Sequence, residues 1–159
     1  MKIFCQTGES VEIAENTLVG VNLDGLGLHR ALLEGQDMQG ASLVGTDLRG
    51  ASVSGANLSR ANLQGASLVT AFFFKVSLNH ANLRNCRAMG CQFDEANLER
   101  ADLDGADINR ANFTNARIHG ARLNCKRIES ASFKGAIFDR STVWPPGFDP
   151  VKAGACLHQ

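Results

Sequence analysis

Every fifth residue from Leu23 to Phe138 is apolar, twenty-four in unbroken succession, of which thirteen are Leu and five are Phe. Two residues before each of these centres, Ala fills sixteen of the twenty-four sites. The residue just before a centre is usually Asn, Asp or Ser, and Gly recurs two residues after it. A period of five suits neither an α-helix, which repeats at 3.6, nor a strand, which repeats at 2.0. A helix would spread these Leu residues around its circumference, and a strand would send alternate ones to opposite faces. The pattern requires a chain that turns after every five residues, always toward the same side. One bulky and one small residue of each five then point inward, and three point outward. The outward Gly, Asn, Asp and Ser are turn formers, because Gly accepts positive φ and the short polar side chains bond nearby backbone.

Four such edges make a square coil of twenty residues. Coils stack at the β-ladder spacing of about 4.8 Å, so six of them form a tower roughly 29 Å tall. A column of Leu or Phe facing a column of Ala fills the interior at close-packed density. The expected class is all-β, a β-solenoid whose stability is approximately a sum over coils and their interfaces. Three regions follow: an N-terminal cap over 1–20, the repeats over 21–140, and a C-terminal cap and tail over 141–159.

The segments ANLSR, ANLQG, ANLRN, ANLER, ADLDG, ADINR and ANFTN make the repeats resemble the pentapeptide-repeat family, over about three quarters of the chain. The resemblance implies a right-handed quadrilateral β-helix. It also implies a runner-up function, since some members mimic DNA and protect a type II topoisomerase. The stretch TVWPPGFDPVKAGA is similar to tails of cyanobacterial members.

At the N-terminus, Lys2–Gln6 and Ser10–Ala14 flank Thr7-Gly8-Glu9 and read as a hairpin cap, with Ile3, Val11 and Ile13 facing the first coil. Thr17–Gly20 reads as an imperfect extra edge. At the other end, Val143 and Phe148 continue the five-residue register until Trp144-Pro145-Pro146-Gly147 breaks it, since Pro cannot donate to a ladder. Trp144 and Phe148 are expected to cover the last coil, and Gly154–Gln159 to be disordered.

Residues twenty apart lie above one another, so Phe73, Phe93, Phe113 and Phe133 form one inward aromatic column. Phe72 and Phe74 flank Phe73 and therefore face outward. With Val69 and Met89 they form the largest candidate interaction patch, unless the chain bends locally to bury one of them. Arg60, His80, Arg100 and Arg140 share an outward column, expected to be balanced by Glu99 and Asp139. Asp94, Glu95, Glu99, Asp102, Asp104 and Asp107 crowd one coil, between Arg84 and Arg87 on one side and Arg110 and Arg117 on the other, as expected for pairing between coils. Lys126 falls on an inward Ala site and must snorkel or open the coil. Gln36 and Leu26 are milder misfits of the same kind.

Sixteen Lys and Arg balance sixteen Asp and Glu. That neutrality argues against direct nucleic-acid binding, which needs a basic excess, and against a DNA mimic, which needs an acidic one. No apolar run is long enough to span a bilayer, and the first residues do not form a secretory signal. With five cysteines, an odd number, the expectation is a reducing cytoplasmic setting. Cys86 and Cys91 occupy inward small sites as filler, while Cys125 faces outward and is the more reactive thiol. The four His lack partners at motif spacing, and no nucleotide, zinc or cofactor motif is present. The sequence therefore points to a non-enzymatic structural or protein-interaction module without cofactor or metal. Its partner is another protein or a second copy of itself. A topoisomerase regulator and a thiol or metal module are the alternatives.

Overall fold

The structure is a computed structural model that describes residues 1–158. Its organising contact is a parallel pairing between residues twenty apart. Asn22 pairs with Ser42, Ser42 with Asn62, Asn62 with Asn82 and Asn82 with Asp102, and the same ladder runs up the other edges. Each rung uses two hydrogen bonds. Leu63 N–H donates to the Asn82 carbonyl at 2.7 Å, and Asn82 N–H donates to the Ala61 carbonyl at 2.9 Å. A tight turn follows each rung, such as Ala66 N–H to Leu63 O at 3.0 Å. Asn, Asp and Ser earn their place before the centres in these turns. Asn62 Oδ1 accepts from Gln64 N–H at 3.2 Å, and Asn82 Oδ1 from Arg84 N–H at 3.0 Å.

Four walls result, centred in the first coil on Leu23, Leu28, Leu33 and Met38. The residues stacked above these centres are almost wholly buried, as are the Ala residues beside them. On the third wall, Phe73, Phe93, Phe113 and Phe133 form the expected column, with ring centroids 5.5, 4.9 and 5.0 Å apart. The corner residues adopt positive φ. Gly supplies many of them, but Arg60, Thr70, Lys75, His80, Asn85 and Arg100 also do so. At Gly105 the φ is 75°, and the Asn85 amide of the coil below occupies the space a Cβ would take.

The N-terminal cap is a hairpin of β1 (Lys2–Phe4) and β2 (Ser10–Glu12), with Ile3 buried opposite Val11. It joins the lower edge of the third wall in antiparallel fashion, through Leu32 N–H to Phe4 O at 2.8 Å and Gln6 N–H to Arg30 O at 2.9 Å. Leu18 is buried and bonded to the first coil, so the extra edge is real and begins before residue 21. Gln36 escapes its inward site by lying exposed, and Leu26 is half-buried.

Two register slips correct the sequence reading. Asp107 pairs with Lys126, nineteen residues on rather than twenty. The corner after Asn124 is one residue short, which brings Cys125 into the inward small site and leaves Lys126 exposed on the wall. Cys125 is therefore a core residue, not an outward thiol. Arg127, at φ 56°, is the compensating extra residue, and it opens a short 3-10 turn over Ile128–Ser130 that restores the register. Higher up, Arg122 pairs with Val143, twenty-one residues on. Val143 is thus outward and exposed, not a centre. Thr142 takes the inward site, where its hydroxyl donates to Ile118 O at 3.0 Å. Asp139 holds this slip together. Its Oδ1 accepts from Gly120 N–H, Ser141 N–H and the Ser141 hydroxyl at 3.1, 3.0 and 2.7 Å. These bonds hold its carboxyl down at about 2, the Ser141 hydroxyl contributing most.

Trp144 and Phe148 do cover the last coil. Trp144 meets Phe133 edge-on at 5.2 Å and stacks on Phe148 at 5.3 Å. The tail is not disordered through residue 158. β3 (Ile137–Phe138) pairs in parallel with β4 (Cys156–Leu157), Ala155 is buried, and His158 N–H bonds Phe138 O at 2.7 Å. The open ladder of the last coil supplies the partners that order it. Gln159 lies outside the described residues.

Two outcomes follow. Phe113→Ala empties the middle of the aromatic column and should lower stability by about 3–5 kcal/mol, read as a reduced urea midpoint. The Asp139 contribution has a pH signature. Because its folded pKa is depressed, that stability is fully present above about pH 4 and is lost as pH falls toward about 2. The stability gap between the native chain and Asp139→Asn should accordingly be constant above pH 4 and close below it.

Candidate interaction surface

The ladder leaves little of the chain free for function. The interior is filled and wall backbones are bonded to the coils on either side, so chemistry must come from outward side chains. Those side chains fall into vertical columns, and the columns differ.

On the first wall the charges pair between coils. Arg84 reaches Asp102 at 3.0 Å, and Arg122 grips the buried Asp104 through Nε at 2.9 Å and Nη2 at 2.5 Å. Arg117 bonds Glu99 at 2.5 Å, Lys75 reaches Glu95 at 3.4 Å, and Arg127 binds Asp107. These pairs neutralise most of the acidic coil. Arg87 and Arg110 make no ion pair among the described residues. The Arg60, His80, Arg100 and Arg140 column is exposed at one corner, but the expected partners are engaged elsewhere, Glu99 by Arg117 and Asp139 by backbone and hydroxyls.

The cysteines offer no thiol centre. Cys86, Cys91 and Cys125 are buried. Burial pushes the Cys86 thiol up to about 12, and burial also raises Cys91 and Cys125, with Cys86 the next contributor to each. Among the described residues no His, Cys, Asp and Glu gather as a metal-ligand set.

The third wall is different. Phe72 is 50% exposed and Phe74 41% exposed, so the chain does not bend to hide either ring. Val69 and Met89 stand around the corner on the second wall and are only half-exposed, with Met89 sulfur under the Arg127 guanidinium at 3.3 Å. The patch is therefore not the foursome expected from spacing. Its other members are Leu32 and Phe4, exposed by 42% and 58%. The ladder puts them in line: Phe4 runs beside Leu32, Leu32 pairs with Ser52, and Ser52 pairs with Phe72. Leu32 was legible as an apolar residue where other repeats carry Asn, Asp or Ser. Phe4 was legible only as the residue opposite in phase to Ile3. Lys75 Nζ sits 4.9 Å from the Phe74 ring centre and shields one side of it. A shallow groove flanks the stripe at the corner with the second wall, lined by Gln6, His29, Arg30, Arg49, Thr70 and Phe72.

Rungs every twenty residues with one large and one small residue inward define a β-solenoid built from pentapeptides. The family profile for pentapeptide repeats matches residues 18–55, 28–65, 54–87 and 91–124. The chain belongs to the pentapeptide-repeat family. Its fold is similar to that of Rfr23 from the cyanobacterium Cyanothece 51142, at 24% identity, 79% coverage of this chain and 88% of that one, with a TM-score of 0.52. It is also similar to QnrB1, a plasmid-mediated fluoroquinolone resistance protein, at 14% identity, with 92% and 88% of the two chains covered and a TM-score of 0.60. A pentapeptide repeat protein from Nostoc Pcc 7120 matches at 28% identity over 77% of this chain and 84% of that one, with a TM-score of 0.46. A search of curated protein sequences finds no match.

Native protein treated with a thiol-reactive dye should release one prompt equivalent, from the exposed Cys156. Cys86, Cys91 and Cys125 should react only on unfolding. Prompt reaction of Cys125 would contradict its inward placement.

Proposed function

We propose that this chain is a non-enzymatic protein-interaction module, a closed right-handed quadrilateral tower of about six coils that presents a contact surface on its third wall. The observation that carries this reading is the alignment of Phe4, Leu32, Phe72 and Phe74 on one wall, each more than 40% exposed. Isolated surface apolar residues are ordinary, but four large ones on one wall, Phe4 beside Leu32 and Phe72 beside Phe74 with only Ser52 between the pairs, mark a contact in a family built for polar outer faces. Catalysis finds no support in the geometry: the lumen is filled with side chains, and the surface depressions are shallow.

The topoisomerase alternative has less behind it. QnrB1 shares only the fold at 14% identity, and sixteen cationic against sixteen anionic residues do not build the negative field of a DNA mimic. The test is capture of partners from the source cells with the native chain and with Phe72→Ser/Phe74→Ser. Neither ring enters the core, so the double variant should remain folded, which its urea unfolding curve checks. Loss of specific partners from the variant is expected, and identical recovery by both would remove the third wall as the contact.

A further inference from the structure

We infer that the third-wall stripe receives an amphipathic helix of another protein, lying along the tower axis, with acidic residues on the flank that faces His29, Arg30 and Arg49. This deepens the interaction reading and rests on it.

Two arguments choose the occupant. The first is backbone chemistry. An extended peptide binds a β-structure chiefly by main-chain hydrogen bonds to an open edge. On this wall the backbone is already committed: Leu33 N–H bonds Ser52 O, Ser52 N–H bonds Ala31 O, Val53 N–H bonds Phe72 O, and Phe72 N–H bonds Ala51 O, all at 2.8–2.9 Å. Only side chains are on offer, and a helix is the segment that satisfies its own main chain. Its diameter of about 10 Å also matches the wall. Leu32 and Phe72 stand two coils apart, about 9.6 Å, and residues i and i+7 of a helix are about 10.5 Å apart. Phe4 lies one further rung below Leu32, so residues i, i+3 and i+10 of one apolar face would meet Phe4, Leu32 and Phe72 in turn, with Phe74 beside Phe72.

The second argument is charge. Arg30 makes no ion pair among the described residues, and its side chain lies along the corner over Gly50, with Cγ 3.4 Å from where a Cβ would sit. The absence of a side chain at Gly50 makes the groove beside Phe72. Arg49 is bonded to Asp47 at 2.6 and 2.8 Å, so Arg30 is the charge of this corner that no carboxylate engages among the described residues. The opposite side of the stripe carries the exposed Glu34, while Lys75 and Glu95 pair with each other. The rim is therefore asymmetric, and an acidic flank fits on one side only.

The test uses the full chain and stapled helical peptides of about 14 residues. Each carries Leu or Phe at i, i+3, i+7 and i+10 and is varied among Glu, Ser and Lys along one flank. Binding is followed by fluorescence anisotropy at low salt. The best binders should carry Glu on one flank and weaken at least tenfold against Phe72→Ser. Changing that flank to Lys should weaken binding several-fold, and Arg30→Glu should restore the Lys peptide. An absence of binders, indifference to the sign of the flank, or equal binding to Phe72→Ser would overturn the inference. So would a native-chain dimer in sedimentation velocity that Phe72→Ser dissolves. Peptide failure with partner capture still lost in Phe72→Ser/Phe74→Ser removes the helix alone. Unchanged capture removes the interaction surface beneath it.

Discussion

Everything in this molecule depends on the hydrogen-bonded rung between residues one coil apart. Because Asn82 sits on Asn62 and Asn62 on Ser42, a five-residue sequence pattern becomes four vertical walls, and each outward residue type becomes a column. The rung in turn depends on what lies inside. Two inward side chains per edge must fill the shaft without straining it, so Ala must stand beside Leu or Phe at almost every step. The buried Thr46 and Thr142 are accepted at small sites because each hydroxyl finds a backbone carbonyl one coil below, Leu23 O and Ile118 O. The ladder also limits where irregularity can be absorbed. A one-residue loss after Asn124 and a one-residue gain at Ser141 both fall at corners, where a turn can shorten or lengthen without breaking the rungs above it.

The same constraint shapes function. A packed shaft and a backbone occupied by its own ladder leave outward side chains, displayed at fixed intervals, as what the chain presents to its surroundings. Most columns are occupied by turn-forming amides, hydroxyls and intercoil ion pairs that serve the fold. The lower third wall is the place where that logic lapses. Leu32 and Phe72 replace the polar residue that elsewhere caps a turn, and the N-terminal hairpin extends the file with Phe4. Rings at these positions contribute nothing to the shaft, whose aromatic column is Phe73, Phe93, Phe113 and Phe133 on the opposite side of the same backbone.

The period itself was enough to place the core, the aromatic column and the outward direction of Phe72 and Phe74. It failed where the period slipped. Cys125, Lys126 and Val143 were each assigned one step out of phase. A slip that is repaired within a few residues leaves the later centres, such as Ile128 and Phe133, in their expected places. The repair at Arg127 needs positive φ from a residue type with no preference for it, so nothing local announced it. The tail was misjudged for another reason: Ala155–His158 is ordered by an edge that exists only once the last coil is built. The candidate surface was half legible, because Val69 and Met89 turn away around a corner while Phe4 joins the file by hairpin pairing that no five-residue count includes.

The most direct test of the ladder is the distance gained per twenty residues. Nitroxide pairs at Asn22 with Asp102 and at Asn22 with Arg122, in a chain carrying Cys156→Ser, can be measured by double electron–electron resonance. Stacked coils place these backbones about 19 Å and about 24 Å apart, an increment of one rung. Separations that do not rise by about 5 Å, or that exceed about 40 Å, would contradict the stacked-coil architecture and the surface built on it.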